Sequence, residues 1–205
     1  MDKTKMIHGS ERGHGGIKMT PAAVKILETA SHLFYWKGIN AVGVETIASE
    51  AGVTKKTLYD RFGSKDQLIV AYLAHRDEQW KTHLHQSLAN VPANEPLHKI
   101  LRIFDALGSW LAMNHQRGCA FINALAELTD ESHPGRMLIF EEKKWLKQLF
   151  ADWLTQAGVE EAEAKSEKLL ILHEGGTVAY SMNLSTDVVT TLKETAMSII
   201  GETEK

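Results

Sequence analysis

The sequence predicts an all-α fold, and three observations lead to that prediction. Apolar residues recur at three-and-four spacing along most of the chain, and no segment alternates with period two for long enough to form a strand. Glycine, proline and N-cap residues interrupt the pattern at intervals of helix length. A hydrophobic content of 43% over 205 residues suffices for a buried core. We expect a flexible basic arm over residues 1–19, a small three-helix domain over 20–66 and a larger helical domain over 67–205.

The first predicted helix has clear signals at both ends. Residues 1–19 are polar, contain four glycines and show no apolar period, so they predict no regular structure. Thr20 followed by Pro21 is a hydroxyl N-cap with proline at the first helical position. Gly38 predicts the end of this helix.

Two short helices and one long helix are predicted next. Residues 44–51 fit a second short helix. Gly52 is predicted to end it, because glycine tolerates the positive φ of a tight turn. Thr54 is the predicted cap of the following helix, which Gly63 ends. Ser64 and Gln67 then have the spacing of a capping box, so the long fourth helix is expected to begin there.

The rest of the chain is predicted to be helical, ending in two apolar-striped helices over residues 169–182 and 188–200. Gly175 and Gly176 remove side chains in the first of these and predict close helix packing. If both stripes were exposed, the apolar surface would be large, and a homodimer formed through these C-terminal helices would cover it. The alternative is that the stripes pack within one subunit.

The charge is distributed unevenly. The whole chain carries 23 basic and 26 acidic residues, a net charge of -3. Residues 1–65 hold 10 basic and 6 acidic residues, a balance of +4, whereas residues 66–205 hold 13 and 20, a balance of -7. This asymmetry indicates a basic module attached to an acidic body.

Several classes of protein fit the sequence poorly. The single cysteine excludes an intrachain disulfide and a cysteine-rich zinc site, and no histidine cluster has ligand spacing, so we expect no metal and no cofactor. No run of 18 apolar residues is present and the first residues are polar, so we expect a cytoplasmic protein without a membrane partner. No G-x-S-x-G, H-E-x-x-H, P-loop or dinucleotide glycine motif occurs, so we do not expect an enzyme.

Residues 44–63 have the layout of a helix-turn-helix. Leu58 and Phe62 are spaced to face inward, whereas hydroxyls, cations and a phenol occupy the other positions of the third helix. Such groups hold phosphates and read base edges in a DNA major groove. The alternative is a helical hairpin with a solvated cationic face that contacts protein or nothing at all.

This segment resembles the TetR (tetracycline-repressor-like) family of bacterial transcription regulators. The resemblance lies in Thr46-Ile47-Ala48, Ala51-Gly52-Val53-Thr54-Lys55-Lys56-Thr57-Leu58-Tyr59 and Arg61-Phe62-Gly63-Ser64-Lys65-Asp66-Gln67-Leu68. It implies a homodimer with an N-terminal three-helix DNA-binding domain and a C-terminal domain that binds a small-molecule effector. The implied function is a regulator, a repressor by analogy, that binds a palindromic double-stranded operator and is released by its effector.

The resemblance also implies individual roles. Thr46, Tyr59 and Lys65 match positions that contact the DNA backbone. The positions that face the groove are Thr54, Lys55, Lys56 and Thr57. Arg61 departs from the histidine or tyrosine of many members, and its guanidinium suits a phosphate or a guanine.

The acidic body holds the candidate effector-binding residues. Large aromatic and apolar side chains recur at helical spacing on its predicted helices, and they suit the wall of a pocket for an apolar or aromatic effector. Stripes of this kind also form ordinary cores. The candidates are Phe104, Trp110, Met113, Cys119, Asn123, Glu127, Trp145 and His173. The polar pair one turn apart, Asn123 and Glu127, either binds neighbouring backbone or points at a ligand.

Cys119 supports a second functional hypothesis. It lies at a predicted helix N-terminus, where the helix dipole lowers the pKa of a thiol, so the regulator could sense oxidants or electrophiles through it. The alternative is a small buried apolar residue.

Overall fold

The computed structural model describes residues 19–113 and 117–201, and all regular structure within these ranges is helical. The prediction of an all-α fold is confirmed. The helices are α1 (Pro21–Lys37), α2 (Val44–Glu50), α3 (Lys55–Phe62), α4 (Lys65–Leu88), α5 (Pro96–Ala112), α6 (Ala120–Glu127), α7 (Pro134–Gln156), α8 (Ala162–Ser181) and α9 (Val188–Ile200). The predicted arm lies, but for its last residue, outside the described residues.

The chain divides into two compact units, the first ending at His75 and the second beginning at Arg76. The division falls within α4, as does the domain boundary that we predict after residue 66. In the described part of the chain, no helix is long and apolar enough to cross a membrane.

The first unit packs α1, α2 and α3 against one another. Its core contains fully buried aliphatic side chains from each helix, among them Ile26, Ile47, Leu58 and Leu68. Removing these side chains from water is the main favourable term that holds such short helices together.

The predicted helix ends of the first unit are confirmed. Thr20 Oγ1 accepts a hydrogen bond from the Ala23 amide at 3.3 Å, and Thr54 caps α3 in the same way. Gly52 adopts a φ of +62° between α2 and α3, a conformation that L side chains rarely adopt. The tight turn of the helix-turn-helix is therefore built as the sequence predicts.

The second unit is a bundle in which α5, α7, α8 and α9 pack together and α6 lies against α7. Phe104 and Phe150 lie at its centre, both fully buried, with ring centroids 6.0 Å apart. Gly176 provides the close approach of α8 to α9, because a Cβ there would lie 2.5 Å from Leu192 Cδ1. Its neighbour Gly175 is exposed, with nothing within 4 Å of the same position.

Helix α8 is apolar on two faces. One face packs Leu169 and Gly176 into the bundle. The opposite face leaves large side chains exposed, with Ile171 at 64%, Val178 at 55% and Met182 at 62%. The inner stripe thus packs within the subunit, and a second apolar stripe remains on the surface of the same helix.

Candidate functional site

Helix α3 presents a polar and cationic face to solvent. Leu58 and Phe62 are buried, whereas Tyr59 is 40% exposed and Arg61 is exposed beside it. Thr46, on α2, is exposed as well. The separation of buried and exposed residues follows the predicted period, so the helix-turn-helix surface has the composition that phosphate and base contacts require.

Internal hydrogen bonds already engage Thr54, the N-cap residue of α3, and Thr57 in its first turn. Thr54 Oγ1 accepts from the Thr57 amide at 3.0 Å, and the two hydroxyl oxygens lie 2.8 Å apart. Both side chains therefore stabilise the helix start, and Thr54, being exposed, also stands at the edge of the surface.

Ion pairs restrain the cations of this surface to different degrees. Lys55 pairs closely with Glu45 of α2, and this contact raises the pKa of Lys55 and lowers that of Glu45. Lys56 lies 3.6 Å from Asp60 and is 87% exposed. Lys56 is the more available of the two lysines, because its pairing is looser and its exposure greater.

Lys65 is held by the first unit itself. Its Nζ donates to the Ile39 carbonyl at 2.7 Å and lies 6.0 Å from the centroid of the Phe34 ring. The residue is half-buried at the start of α4. Replacing it therefore removes a tertiary contact in addition to a positive charge.

A cavity of about 40 Å³, partly open to solvent, lies within the second unit. Five helices and the turn before α6 contribute to its wall. The lining residues are Arg76, Trp80, Leu107, Trp110, Leu111, Gly118, Cys119, Ala120, Phe121, Glu142, Lys143, His173, Glu174 and Thr177. Aromatic rings and charged groups thus meet at one place.

Lys143 is the centre of a buried charge network in this wall. Its Nζ donates to Glu174 Oε1 at 2.8 Å and to Cys119 Sγ at 3.5 Å, and it lies 3.0 Å from Glu142 Oε2. The side chain of Lys143 is 18% exposed and that of Glu142 only 3%. Such charges persist in a bundle because they are paired, since an isolated buried charge is costly.

Burial and ion pairing shift the pKa values of the network residues in opposite directions. Burial raises the pKa of the Glu142 carboxyl, although Lys143 opposes the rise. Burial would also raise the pKa of Glu174, but the hydrogen bond from His173 and the charge of Lys143 lower it to about 2. Burial would lower the pKa of Lys143, yet the neighbouring Cys119 and the two carboxylates raise it. Glu174 and Lys143 are therefore charged at neutral pH.

Three buried polar atoms of the wall have no hydrogen-bond partner: Glu142 Oε2, which lies 3.0 Å from Lys143 Nζ, and two ring nitrogens. Trp80 Nε1 and His173 Nε2 are both fully buried, on residues that are 4% and 5% exposed. The two rings are neighbours, with centroids 5.9 Å apart. Buried polar groups are almost always satisfied, so unpartnered ones in a cavity wall point to a missing ligand or water.

Three of the eight sequence-predicted effector residues line the cavity: Trp110, Cys119 and His173. Phe104 lies behind His173 in the core, at a centroid distance of 6.4 Å. The remaining four lie outside the cavity wall. Met113 is 52% exposed, Trp145 packs under Lys81, Asn123 donates to the Arg117 carbonyl at 2.9 Å, and Glu127 is half-buried on α6. Of the two alternatives for Asn123, the structure thus has the backbone contact.

Sequence reasoning missed Trp80, Glu142 and Lys143, whereas Glu174 beside His173 is a polar residue that it allows in a pocket or at the dimer interface. The first resembles a core residue, and the pair at 142–143 belongs to a charged run that resembles a solvated face. A usable signal was nevertheless present. Glu142 continues the buried stripe of α7 between Ile139 and Leu146, and an acid on such a stripe predicts a buried partner.

The Cys119 side chain is half-buried in the cavity wall, beside Lys143. Burial raises the pKa of the thiol more than the nearby Lys143 ammonium lowers it. The nucleophile in oxidation and alkylation is the thiolate, so the raised pKa disfavours both reactions. Cys119 is the N-cap residue of α6, and its side chain makes no capping hydrogen bond there.

Comparisons with known proteins relate the chain to bacterial transcription regulators. Residues 26–72 match the family model for bacterial regulatory proteins of the tetR family. A solved TetR-family transcriptional regulator from Streptomyces coelicolor is 29% identical, with a TM-score of 0.79 over 87% of this chain and 94% of that one.

Two characterised relatives match over part of their length. The HTH-type transcriptional repressor KstR2 of Mycobacterium tuberculosis is 28% identical over 137 residues, which are 67% of this chain and 66% of the relative. The HTH-type transcriptional activator FasR of Mycolicibacterium smegmatis is 28% identical over 117 residues, and the match spans only 44% of its length. The helix-turn-helix segment thus matches the tetR family model, and the chain as a whole is similar to TetR-family transcriptional regulators.

Proposed function

We propose that this regulator binds an operator as a homodimer through α3 and leaves it when a small molecule occupies the cavity of the second unit. The observation that carries the proposal is the exposed cationic face of α3 within the segment that matches the family model. KstR2 is named a repressor and FasR an activator, so their names support both directions of control. We propose repression, in which DNA binding blocks transcription and the effector relieves it.

DNA contact is proposed for the exposed polar residues of the helix-turn-helix surface. Lys56 and Arg61 are exposed cations, and Tyr59 offers a phenol between them. Lys55 reaches DNA only by leaving Glu45, and Lys65 only by sharing its ammonium with the Ile39 carbonyl. We therefore expect Lys56 and Arg61 to supply the readiest phosphate contacts and Lys55 to contribute after rearrangement.

The salt dependence of binding tests this assignment. Each phosphate neutralised by a cation releases counterions, which gives a slope of about -0.9 per contact in a plot of log affinity against log salt concentration. Because a homodimer carries two copies of Lys56, Lys56→Gln is expected to reduce the magnitude of the slope by about 2 on every duplex. Lys144→Gln, at a 73% exposed lysine of α7, is the matched control and should leave the slope unchanged.

The binding experiment uses duplexes selected from a random pool, measured by fluorescence anisotropy between low and high salt. Saturable binding with a clear sequence preference supports a regulator that reads an operator. A palindromic consensus supports two copies of α3 one helical turn of DNA apart, about 34–36 Å. No binding to any duplex at low salt would refute DNA contact by this surface.

The homodimer is proposed through the outer face of α8. Ile171, Val178 and Met182 are spaced at seven and four residues and share one helix face, with exposed Gly175 between them. A continuous apolar stripe of this kind is covered in most soluble proteins, and a second copy of the same stripe is self-complementary across a two-fold axis.

A charge placed on this stripe tests the dimer. Val178→Glu is expected to shift the protein from dimer to monomer in sedimentation velocity, because a carboxylate would be buried without a partner. Val24→Glu, at a 36% exposed valine of α1, is the control and should remain a dimer. A wild-type chain that sediments as a monomer at micromolar concentration would contradict the proposal.

A further inference from the structure

Two of the three unpartnered atoms of the cavity wall, Trp80 Nε1 and His173 Nε2, define which polar groups a ligand must carry, since the third, Glu142 Oε2, lies 3.0 Å from the Lys143 ammonium. Trp80 Nε1 carries a hydrogen and can only donate, so it needs an acceptor. Leaving such a buried donor unpaired costs free energy that a ligand oxygen would recover.

His173 supplies the complementary requirement. Its Nδ1 lies 3.2 Å from Glu174 Oε1, a carboxylate that can only accept, so the hydrogen of the neutral ring resides on Nδ1. His173 Nε2 is then an acceptor without a donor. A hydroxyl group meets both needs with one oxygen, since it accepts from Trp80 and donates to His173.

The wall brings basic and acidic side chains into contact. The lining contains two cations, Arg76 and Lys143, and two acids, Glu142 and Glu174. Lys143 contacts both acids, and the Arg76 guanidinium lies 4.8 Å from the centroid of the Trp110 ring. A charged ligand would need a counterion, and it would have to compete with these existing contacts to obtain one. The wall therefore favours an uncharged molecule.

Aromatic rings and limited space narrow the choice further. Trp80 and Trp110 lie edge to face with centroids 5.7 Å apart, and Phe121 closes another part of the wall. The volume of about 40 Å³ is well below the roughly 150 Å³ of an engineered cavity that binds benzene. The cavity therefore takes a single small ring, and only when a wall side chain moves aside.

We propose that the effector is a small uncharged aromatic hydroxy compound of the phenol class, whose hydroxyl accepts from Trp80 Nε1 and donates to His173 Nε2. This inference rests on the proposed role of the cavity as the effector site. The ring lies against the Trp110 and Phe121 side chains of the wall.

Four probes of similar size test the inference by isothermal titration calorimetry on the full-length protein. Phenol both donates and accepts, anisole only accepts, toluene does neither, and benzoate is charged. Phenol is expected to bind about 2- to 10-fold more tightly than anisole and more tightly again than toluene, since each hydrogen bond contributes about 0.5–1.5 kcal/mol. Undetectable phenol binding, as expected if water alone fills the cavity, would overturn the proposal, as would tighter binding of toluene or benzoate.

A matched pair of variants locates the binding. Trp80→Phe keeps an aromatic ring but removes the N–H, and it is expected to weaken phenol binding about 2- to 10-fold while leaving toluene binding unchanged. Trp153→Phe makes the same substitution on α7, outside the cavity, and should leave both affinities unchanged. Equal phenol affinity in wild type and Trp80→Phe would overturn the assigned hydrogen bond.

The DNA readout separates this inference from the proposed function. Anisotropy of a selected duplex is recorded without ligand and then with saturating phenol. Selective phenol binding that releases the duplex supports both proposals. DNA binding without phenol affinity overturns the ligand class and leaves the regulator intact, whereas phenol affinity without any DNA binding supports the ligand class and refutes the regulator.

Discussion

Lys143 is the residue whose removal we expect to cost the second unit most. Its ammonium contacts Glu142 and Glu174, and the side chains of these acids are 3% and 26% exposed. Lys143→Met keeps most of the hydrocarbon stem but removes the charge. Two neighbouring carboxylates then remain in the wall without their shared cation.

The expected cost is large on the scale of protein stability. Removing one partner of a buried ion pair typically destabilises a protein by about 3–5 kcal/mol, because the remaining charge stays desolvated. The total stability of a domain is about 5–15 kcal/mol, so the variant should fold with a much reduced margin. Lys144→Met is the matched control, since its partner Glu141 lies 3.4 Å away and both side chains are more than 60% exposed.

Urea denaturation of both variants at one fixed protein concentration measures the difference. Lys144→Met is expected within about 0.5 kcal/mol of wild type, as for most surface changes. Adding Glu142→Gln and Glu174→Gln to Lys143→Met should recover part of the lost stability, because glutamine side chains carry no charge that needs the missing cation. The reasoning is refuted if Lys143→Met costs no more than Lys144→Met.

The ion pair between Lys143 and Glu174 also predicts how stability depends on pH. The pKa of Glu174 is lowered to about 2 from its ordinary 4.5, so its stabilising contribution is complete above about pH 5 and is lost as the pH falls toward 2. Lys143→Met removes one cause of the lowered pKa of Glu174. The carboxylates of Glu142 and Glu174 in this variant therefore take up protons at a higher pH than in the wild type. The stability gap between wild type and Lys143→Met should therefore narrow from pH 7.5 to pH 4.5, and a gap that widens would contradict the pairing.

Three further predictions concern other parts of the chain. Glu45→Gln frees the lysine that it pairs and removes a negative charge from the helix-turn-helix surface, so duplex affinity should rise most at low salt, with Glu78→Gln as an unchanged control in anisotropy. Gly108→Ala places a Cβ 2.4 Å from Val189 Cγ2, and urea denaturation should show a loss of about 1–3 kcal/mol that adding Val189→Ala partly relieves. Mild peroxide should leave duplex binding of wild type and Cys119→Ser equal, because burial raises the pKa of the thiol, and selective loss in wild type would instead support the redox hypothesis.

The first unit could be predicted closely because its signals are local. Thr20, Gly52, Thr54 and Gly63 act on the residues next to them, through a side-chain cap or a backbone conformation, and such effects are visible in a short stretch of sequence. Burial of Leu58 follows from helical period alone. Local chemistry therefore predicted both the fold of this unit and the face of α3 that is exposed.

The cavity could not be predicted in the same way, because its wall is assembled from residues far apart in the chain. Trp80, Glu142 and His173 each lie on a different helix, and the residues next to each of them in sequence do not show which side chains it meets in the fold. Only the tertiary structure shows that Trp80 Nε1 and His173 Nε2 lack partners. The predicted residues Met113 and Trp145 lie outside the wall for the same reason, since helical period says which face is apolar and not which neighbour it meets.

The small size of the cavity bears on how an effector would act. A molecule that binds only after a wall side chain moves has, by necessity, a higher affinity for the moved state than for the state described here. Moving the side chain requires free energy, and the unpartnered Trp80 and His173 atoms supply part of it, because each gains a hydrogen bond when a hydroxyl group binds. A hydrocarbon of the same size gains no such hydrogen bonds, so its binding offsets less of the free energy needed to move the wall side chain. If effector release of DNA works through this cavity, the hydroxyl group should therefore matter more for releasing the duplex than the ring area that accompanies it.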